Sequence, residues 1–229
     1  MSAITCSTDL QVDARARKSG GSSNFAVYEM VARALDERSA GGEILLDVGC
    51  GHGHLWPFLR SRFSKYIGAD VVQYSDFPET GEFTPVNLDT NRVSLADRIA
   101  DVVVSVETIE HLENPRAFIR ELVRLAKVGG WIVVTTPNQL SFLSLLTLVV
   151  KQRFSAFQDV HYPAHLTALL EVDLTRIATE CGLTDISIGY SYEGRIVLTP
   201  WHYSRFIARS FPRRCSDNLL VIGRKTADF

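Results

Sequence analysis

The stretch Glu43–Trp56, EILLDVGCGHGHLW, constrains this chain more than any other. Ile44 to Val48 is a short apolar run broken only by Asp47, and Gly49, Gly51 and Gly53 follow on alternate positions. Buried parallel strands read as such short apolar runs. Glycines just past a strand let the backbone turn sharply and approach a ligand closely. The alternative is a tight strand–helix turn that holds nothing. A dinucleotide fingerprint, G-x-G-x-x-G, sets a pyrophosphate on a helix N-terminus. Here His54 stands where its third glycine would be, and Asp47 would repel a phosphate. An acid in that place suits a cationic ligand.

The rest of the chain alternates strands with helices. Ser22, Ser23 or Asn24 caps a helix whose apolar residues Phe25, Tyr28, Ala32 and Leu35 keep helical spacing, and Gly41-Gly42 ends it. Lys65–Asp70 reads as a second strand ending in an acid. Asp70 lies where a carboxylate meets a ribose hydroxyl in nucleotide-binding βαβ units, or else is a solvated strand-end acid. Phe83–Leu88 reads as a third strand and Val-rich Ile99–Val106 as a fourth. Asn114 and Pro115 open a helix lined by Phe118, Leu122 and Leu125, which Lys127 and Gly129-Gly130 close. Trp131–Thr136 is the fifth strand. Then come an apolar helical insertion at Leu140–Val150, a His- and aromatic-rich loop to Thr167, a helix through Cys181, and two last strands at Asp185–Tyr190 and Asn218–Gly223. Such alternation implies a parallel sheet with right-handed crossovers.

Composition sets bounds. The chain has 229 residues, 46% of them hydrophobic, enough for a core in one larger domain. Residues 1–21 read as a mobile N-terminal tail and 22–229 as the domain, with an insertion at about 138–168. A formal charge of −2 carries no strong nucleic-acid signal. Cys6, Cys50, Cys181 and Cys215 lack C-x-x-C spacing, which speaks against a cysteine zinc site and fits a cytoplasmic setting. The N-terminus has no signal-peptide core, and Leu140–Val150 is too short for a transmembrane span.

The motif D-V-G-C-G-H-G resembles the first motif of class I methyltransferases that use S-adenosylmethionine, and the resemblance runs from about Glu43 to Arg224. The more specific match is SVETIEHLENPRAFIRELVRLAKVGGWIVVTTPN, which looks like the small-molecule branch found with polysaccharide and natural-product pathways. The resemblance implies a Rossmann-like α/β fold: a seven-stranded, mostly parallel sheet with helices on both faces and an antiparallel last strand. It implies S-adenosylmethionine as cofactor, its methionine end held by the backbone of Gly49, Cys50, Gly51 and Gly53 and its ammonium placed by Asp47. It further assigns the ribose to Asp70, adenine to Asn87-Leu88, and the floor beneath the cofactor to Val106-Glu107. The family more often has Asp in the place of Asn87. The implied reaction is methyl transfer to a small-molecule acceptor, at a hydroxyl of a sugar, lipid-linked glycan or secondary metabolite.

His111 sits at the strand end where open α/β sheets bind ligands, and is either the acceptor's base or a helix-start residue bonded to a nearby loop. Glu107, Glu110 and His111 spell E-x-x-E-H, similar to the divalent-metal motif of ubiquinone-pathway O-methyltransferases and of enzymes that 2′-O-methylate small-RNA ends; His165, or His161, would complete such a site. The main expectation carries no metal. The alternatives are metal-assisted RNA methylation and a non-catalytic cofactor-binding subunit. Trp201–Arg214 interleaves aromatics with arginines and reads either as a helix packed on the sheet edge or as a peripheral membrane contact.

Overall fold

In the computed structural model residues 16–227 are described, so most of the expected N-terminal tail lies outside the described residues. Its last residues are described: 16–19 form a helical turn and 20–23 run on as a strap. Asn24 then caps α1 (Phe25–Asp36), its side chain accepting from the Val27 amide at 3.0 Å. The chain continues through β1 (Gly42–Val48), the short α2 (Trp56–Leu59), β2 (Phe63–Asp70), β3 (Glu82–Pro85), β4 (Ala100–Ser105), α3 (Pro115–Leu125) and β5 (Ala126–Pro137). α4 (Phe142–Lys151), α5 (Glu171–Glu180), β6 (Leu183–Tyr190), α6 (Arg205–Ser210) and β7 (Asn218–Lys225) complete it.

The strands form one seven-stranded sheet in the order β3-β2-β1-β4-β5-β7-β6. β1 to β5 are parallel neighbours, and β7 runs antiparallel to both β5 and β6. Successive side chains of a strand point to opposite faces, and both faces are apolar here. Leu46, Val48, Ile67, Val103 and Ile132 pack with Phe118, Leu122, Leu174 and Ile177 of α3 and α5. Leu45, Tyr66, Val102 and Val104 pack with Val27, Met30, Val31 and Leu35 of α1.

Several boundaries differ from the sequence expectation. β3 ends at Pro85 rather than Leu88, because proline cannot donate to a ladder and Asn87 then makes a turn, accepting from the Asp89 amide at 3.1 Å. α3 ends at Leu125, and Lys127 to Gly130 already belong to β5. In Trp201–Arg214 only α6 is helical, and Trp201, Phe206 and Phe211 are exposed rather than packed on the sheet edge.

Candidate active site

A cavity of about 250 Å³ opens at the C-terminal ends of β1, β2 and β4. This is the edge where parallel α/β sheets bind ligands. Asp47, Gly49, Cys50, Gly51, Asp70, Asn87, Leu88, Val106, Glu107 and His111 all line it, so the fold gathers ten residues that are spread over 65 positions of sequence. Gly53 lies apart from the lining. A Cβ there would come 2.5 Å from Pro78 Cδ, so its glycine serves close packing of the turn.

The loop after β1 is fixed from beneath. The Gly49 and Cys50 amides donate to the Ala69 carbonyl at 2.7 and 3.3 Å, and the Gly51 amide donates to Asp70 Oδ2 at 2.8 Å. These N–H groups are committed to β2, so carbonyl oxygens are what the loop has left for a ligand, and they suit a donor such as an ammonium. Gly49 has φ +78° and Gly51 φ +49°. A Cβ on Gly51 would meet the Gly21 carbonyl at 2.0 Å, because the N-terminal strap lies directly on the loop. The His52 amide donates to that carbonyl at 3.0 Å.

Asp47 is 2% exposed. Its Oδ2 accepts from the Tyr66 hydroxyl at 2.9 Å, while buried Oδ1 has no hydrogen-bond partner among the described residues. Burial pushes its carboxyl up to about 7, against the Tyr66 bond, with the Asp70 charge adding to the rise. An orphaned buried acceptor in a cavity wall is costly until a donor arrives. Asp70 is held at the end of β2 by the Gly51, Val71 and Val72 amides; burial raises its pKa and these bonds oppose the rise.

Glu107 takes a positive φ of +50°. Its carboxylate accepts from Thr135 Oγ1 at 2.8 Å and from Asn218 Nδ2 at 2.7 Å. Burial and then the Glu110 charge raise its pKa well above the ordinary value. Glu110 is 1% exposed, accepts from Thr136 Oγ1 at 3.1 Å, and is pushed up to about 8 by burial. In the sequence Glu110 reads either as part of the E-x-x-E-H motif or as an acid at a helix start, which is normally solvated. Burial comes from the loop at 164–167, whose Leu166 and Thr167 amides bond the Glu110 carbonyl.

That loop also sets His111. Its Nδ1 lies 2.8 Å from the Ala164 carbonyl, which assigns the neutral ring's proton to Nδ1 and makes Nε2 the basic nitrogen. His165 packs edge-on at 4.8 Å between ring centroids and also lines the cavity. Burial and the neighbouring His111 depress the His165 imidazole to about 4. His161 stacks on His165 outside the lining. Sequence reasoning missed the strap, which contributes Ala16, Ser19 and Gly21 to Ser23, and it missed Tyr28, whose hydroxyl accepts from the Ser23 amide at 2.8 Å.

Five acids line the cavity (Asp47, Asp70, Asp89, Glu107 and Glu110), with no Lys or Arg among the described lining residues. A pyrophosphate would be repelled there, whereas a cation finds compensation for buried carboxylates. This donor set and the unpartnered Asp47 oxygen fit the sulfonium and ammonium of S-adenosylmethionine.

Comparison with known proteins agrees. The family model described as a methyltransferase domain matches residues 25–188. A ubiquinone biosynthesis O-methyltransferase of Chromobacterium violaceum is 31% identical over 173 residues, covering 69% of this chain and 73% of the relative. A Mycolicibacterium smegmatis protein named for S-adenosylmethionine-dependent methyl transfer is 30% identical over 121 residues, covering 52% of this chain but only 47% of its own length. The chain thus spans about half of that relative. The crystal structure of an S-adenosylmethionine-dependent methyltransferase from Archaeoglobus fulgidus superposes with TM-score 0.61 at 19% identity, over 86% of this chain and 94% of that one. The fold and site define an α/β protein with an acid-lined cavity at the C-terminal edge of its parallel strands. The chain belongs to the methyltransferase-domain family, and its cofactor is S-adenosylmethionine.

Proposed function

We propose that the protein transfers a methyl group from S-adenosylmethionine to a hydroxyl of a small-molecule acceptor. The observation that carries this is the five-acid cavity with a basic imidazole nitrogen in its wall. The cofactor, when bound, supplies a methyl group made electrophilic by the sulfonium. Asp47 and the loop carbonyls receive the ammonium, and Asp70 receives the ribose hydroxyls. Asn87 and Leu88 border the adenine, and Val106 and Glu107 form the floor. His111, oriented by the Ala164 carbonyl, accepts the acceptor's proton at Nε2 as the methyl moves. The strap over the loop excludes water from the cofactor end.

The ubiquinone-pathway relatives are named as O-methyltransferases, which supports oxygen as the acceptor atom. An acceptor with an apolar body, such as a lipid-linked glycan, fits the exposed apolar faces of α4 and α6. A cytoplasmic setting belongs to the same reading. Cys50, Cys181 and Cys215 are free thiols, and no helix of the described residues is long and apolar enough to cross a membrane. A metal-assisted version has one observation in its favour. Glu110, His111 and His165 bring ligand atoms within 4.8 Å of one another, while Glu107, tied to Thr135 and Asn218, is outside that group.

The test uses radiolabelled S-adenosylmethionine with pools of hydroxylated metabolites and glycolipids. Transfer to an alkali-stable ether product is expected. His111→Gln should lower kcat about 10²- to 10⁴-fold with cofactor affinity unchanged. Full activity in His111→Gln would remove the base. Loss of wild-type activity in chelator, restored by a divalent ion, would replace the base mechanism with the metal-assisted one.

A further inference from the structure

Outside the cavity, a second group of ligating side chains sits on the same glycine loop. His52 and His54 flank Gly53, and their rings stack with centroids 5.1 Å apart and 16° between planes. Asp76, from the loop after β2, reaches both. One of its oxygens bonds His52 Nδ1, and the other lies 3.7 Å from His54 Nε2. One ligand atom from each of the three residues lies within 4.8 Å of the other two. None of the three lines the cavity. His54 and Asp76 are about half exposed, so an ion reaches them from solvent. His52 is the more enclosed, stacked on the Tyr74 ring at 3.9 Å.

We propose that His52, His54 and Asp76 bind a zinc-class divalent cation that clips the glycine loop to the 74–78 loop. Two imidazoles and one carboxylate are the donors that borderline ions such as Zn²⁺ take, whereas Mg²⁺ and Ca²⁺ prefer all-oxygen shells. Three protein ligands leave the fourth tetrahedral position to water. Closing the three atoms onto one ion calls for rotation of the exposed His54 and Asp76 side chains toward the His52 ring. The His52–Asp76 hydrogen bond gives way to two metal bonds, and the proton on His52 Nδ1 is exchanged through solvent onto Nε2, so the ring stays neutral and Nδ1 holds the ion. The Tyr74 stack already holds the His52 ring in place.

The position gives the clip a consequence. The His52 amide is also the anchor of the N-terminal strap on the Gly21 carbonyl. An ion at His52 therefore fixes strap, glycine loop and 74–78 loop together at the rim of the cofactor cavity. Without an ion, the same residues are held only by the surface hydrogen bond between His52 and Asp76.

The experiment is calorimetric titration of the chelator-stripped full-length protein with Zn²⁺ alone. It is repeated on H52Q/H54Q, on Asp76→Ala and on His165→Gln, with circular dichroism to check that each is folded. One zinc equivalent is expected on the wild type and retained in His165→Gln. It should be lost in H52Q/H54Q and weakened about tenfold or more in Asp76→Ala. Absence of zinc binding by the wild type would overturn the proposal. So would binding unchanged in both H52Q/H54Q and Asp76→Ala, or binding lost only in His165→Gln, which would put the ion in the cavity.

Discussion

Asp47 combines in one side chain the cost and the use of a buried acid. Its folded-state pKa of about 7 stands above the ordinary 3.8 because burial disfavours the anion. Below 3.8 both folded and unfolded chains hold the proton, and Asp47 does not affect stability. Between the two values the folded chain keeps a proton that the unfolded chain has released, so stability of the cofactor-free protein falls as pH rises and the loss is complete above about 7. The size is of the order of 4 kcal/mol. Glu110, pushed up to about 8, adds a loss in the same direction that extends further. His165, depressed to about 4, works the other way, costing stability as pH falls below its ordinary 6.5. Thermal melts of the cofactor-free protein should therefore fall between pH 6.5 and 8, and Asp47→Asn should flatten part of that fall. The cofactor's ammonium prefers the ionised carboxylate, so affinity for S-adenosylmethionine measured by calorimetry should tighten between pH 5.5 and 7.5. Asp47→Asn should bind weakly throughout. An affinity independent of pH in the wild type would put Asp47 out of the ammonium's reach.

α4 shows how an element can be well formed and still lack a partner. Ser141 caps it, accepting from the Ser144 amide at 3.2 Å, yet only Ser144 among its residues is fully buried. Phe142, Leu146, Val149 and Val150 are 41–71% exposed and follow i, i+4, i+7, i+8 spacing, so they form one apolar face. α4 adds nothing to the cavity lining, so it stands beside the cofactor site rather than over it. The Phe142 amide donates to the Arg214 carbonyl at 2.9 Å, which sets α4 beside the segment carrying exposed Phe206 and Phe211. There is no acid from 122 to 158 or from 194 to 216. Arg205 and Arg213 are paired with Glu29 and Glu171, while Arg209 lies over the Tyr192 ring. The expected outcome is cosedimentation with vesicles containing anionic lipid, weakened by salt. V149E/V150E should abolish it while shifting stability by no more than about 0.5 kcal/mol. Equal sedimentation of the variant would take α4 out of the contact. At this scale the sequence was legible where a local rule acts alone. The Asn24 and Asn114 caps, the Pro115 start and the apolar runs of β1, β2 and β4 all form as their residues dictate. It was illegible where tertiary contacts decide. Polar residues 16–23 carry no periodicity, and only the close approach of Gly21 to Gly51 makes them a wall. Glu110 is buried by a loop more than fifty residues away. The α4 face was readable as apolar, but its spacing does not say what it faces.

At the scale of the whole molecule, two apolar layers hold one sheet, and every group of the candidate site hangs on one edge of it. The glycine loop follows β1, Asp70 ends β2, the turn with Glu110 and His111 follows β4, and the strap closes from the N-terminal side. The sheet fixes these groups against each other, while the cavity collects five acidic side chains, and burial opposes the ionisation of Asp47, Asp70, Glu107 and Glu110 among them. A ligand that binds only the folded state and brings positive charge offsets this cost and stabilises the whole chain. S-adenosylmethionine at about a hundred times its Kd adds about 2.7 kcal/mol. For a chain of this size each kcal/mol moves the midpoint by about 2–4 °C, so melting scans should show a rise of about 5–10 °C. NAD⁺ at the same concentration serves as the discriminating control. It fits the same class of sheet edge but carries a pyrophosphate, which meets acids and no described Lys or Arg. No shift is expected with it. A rise with NAD⁺ equal to that with S-adenosylmethionine would mean that the carboxylates do not select the ligand, and the assignment of Asp47 and Asp70 to a cationic cofactor would fall with it.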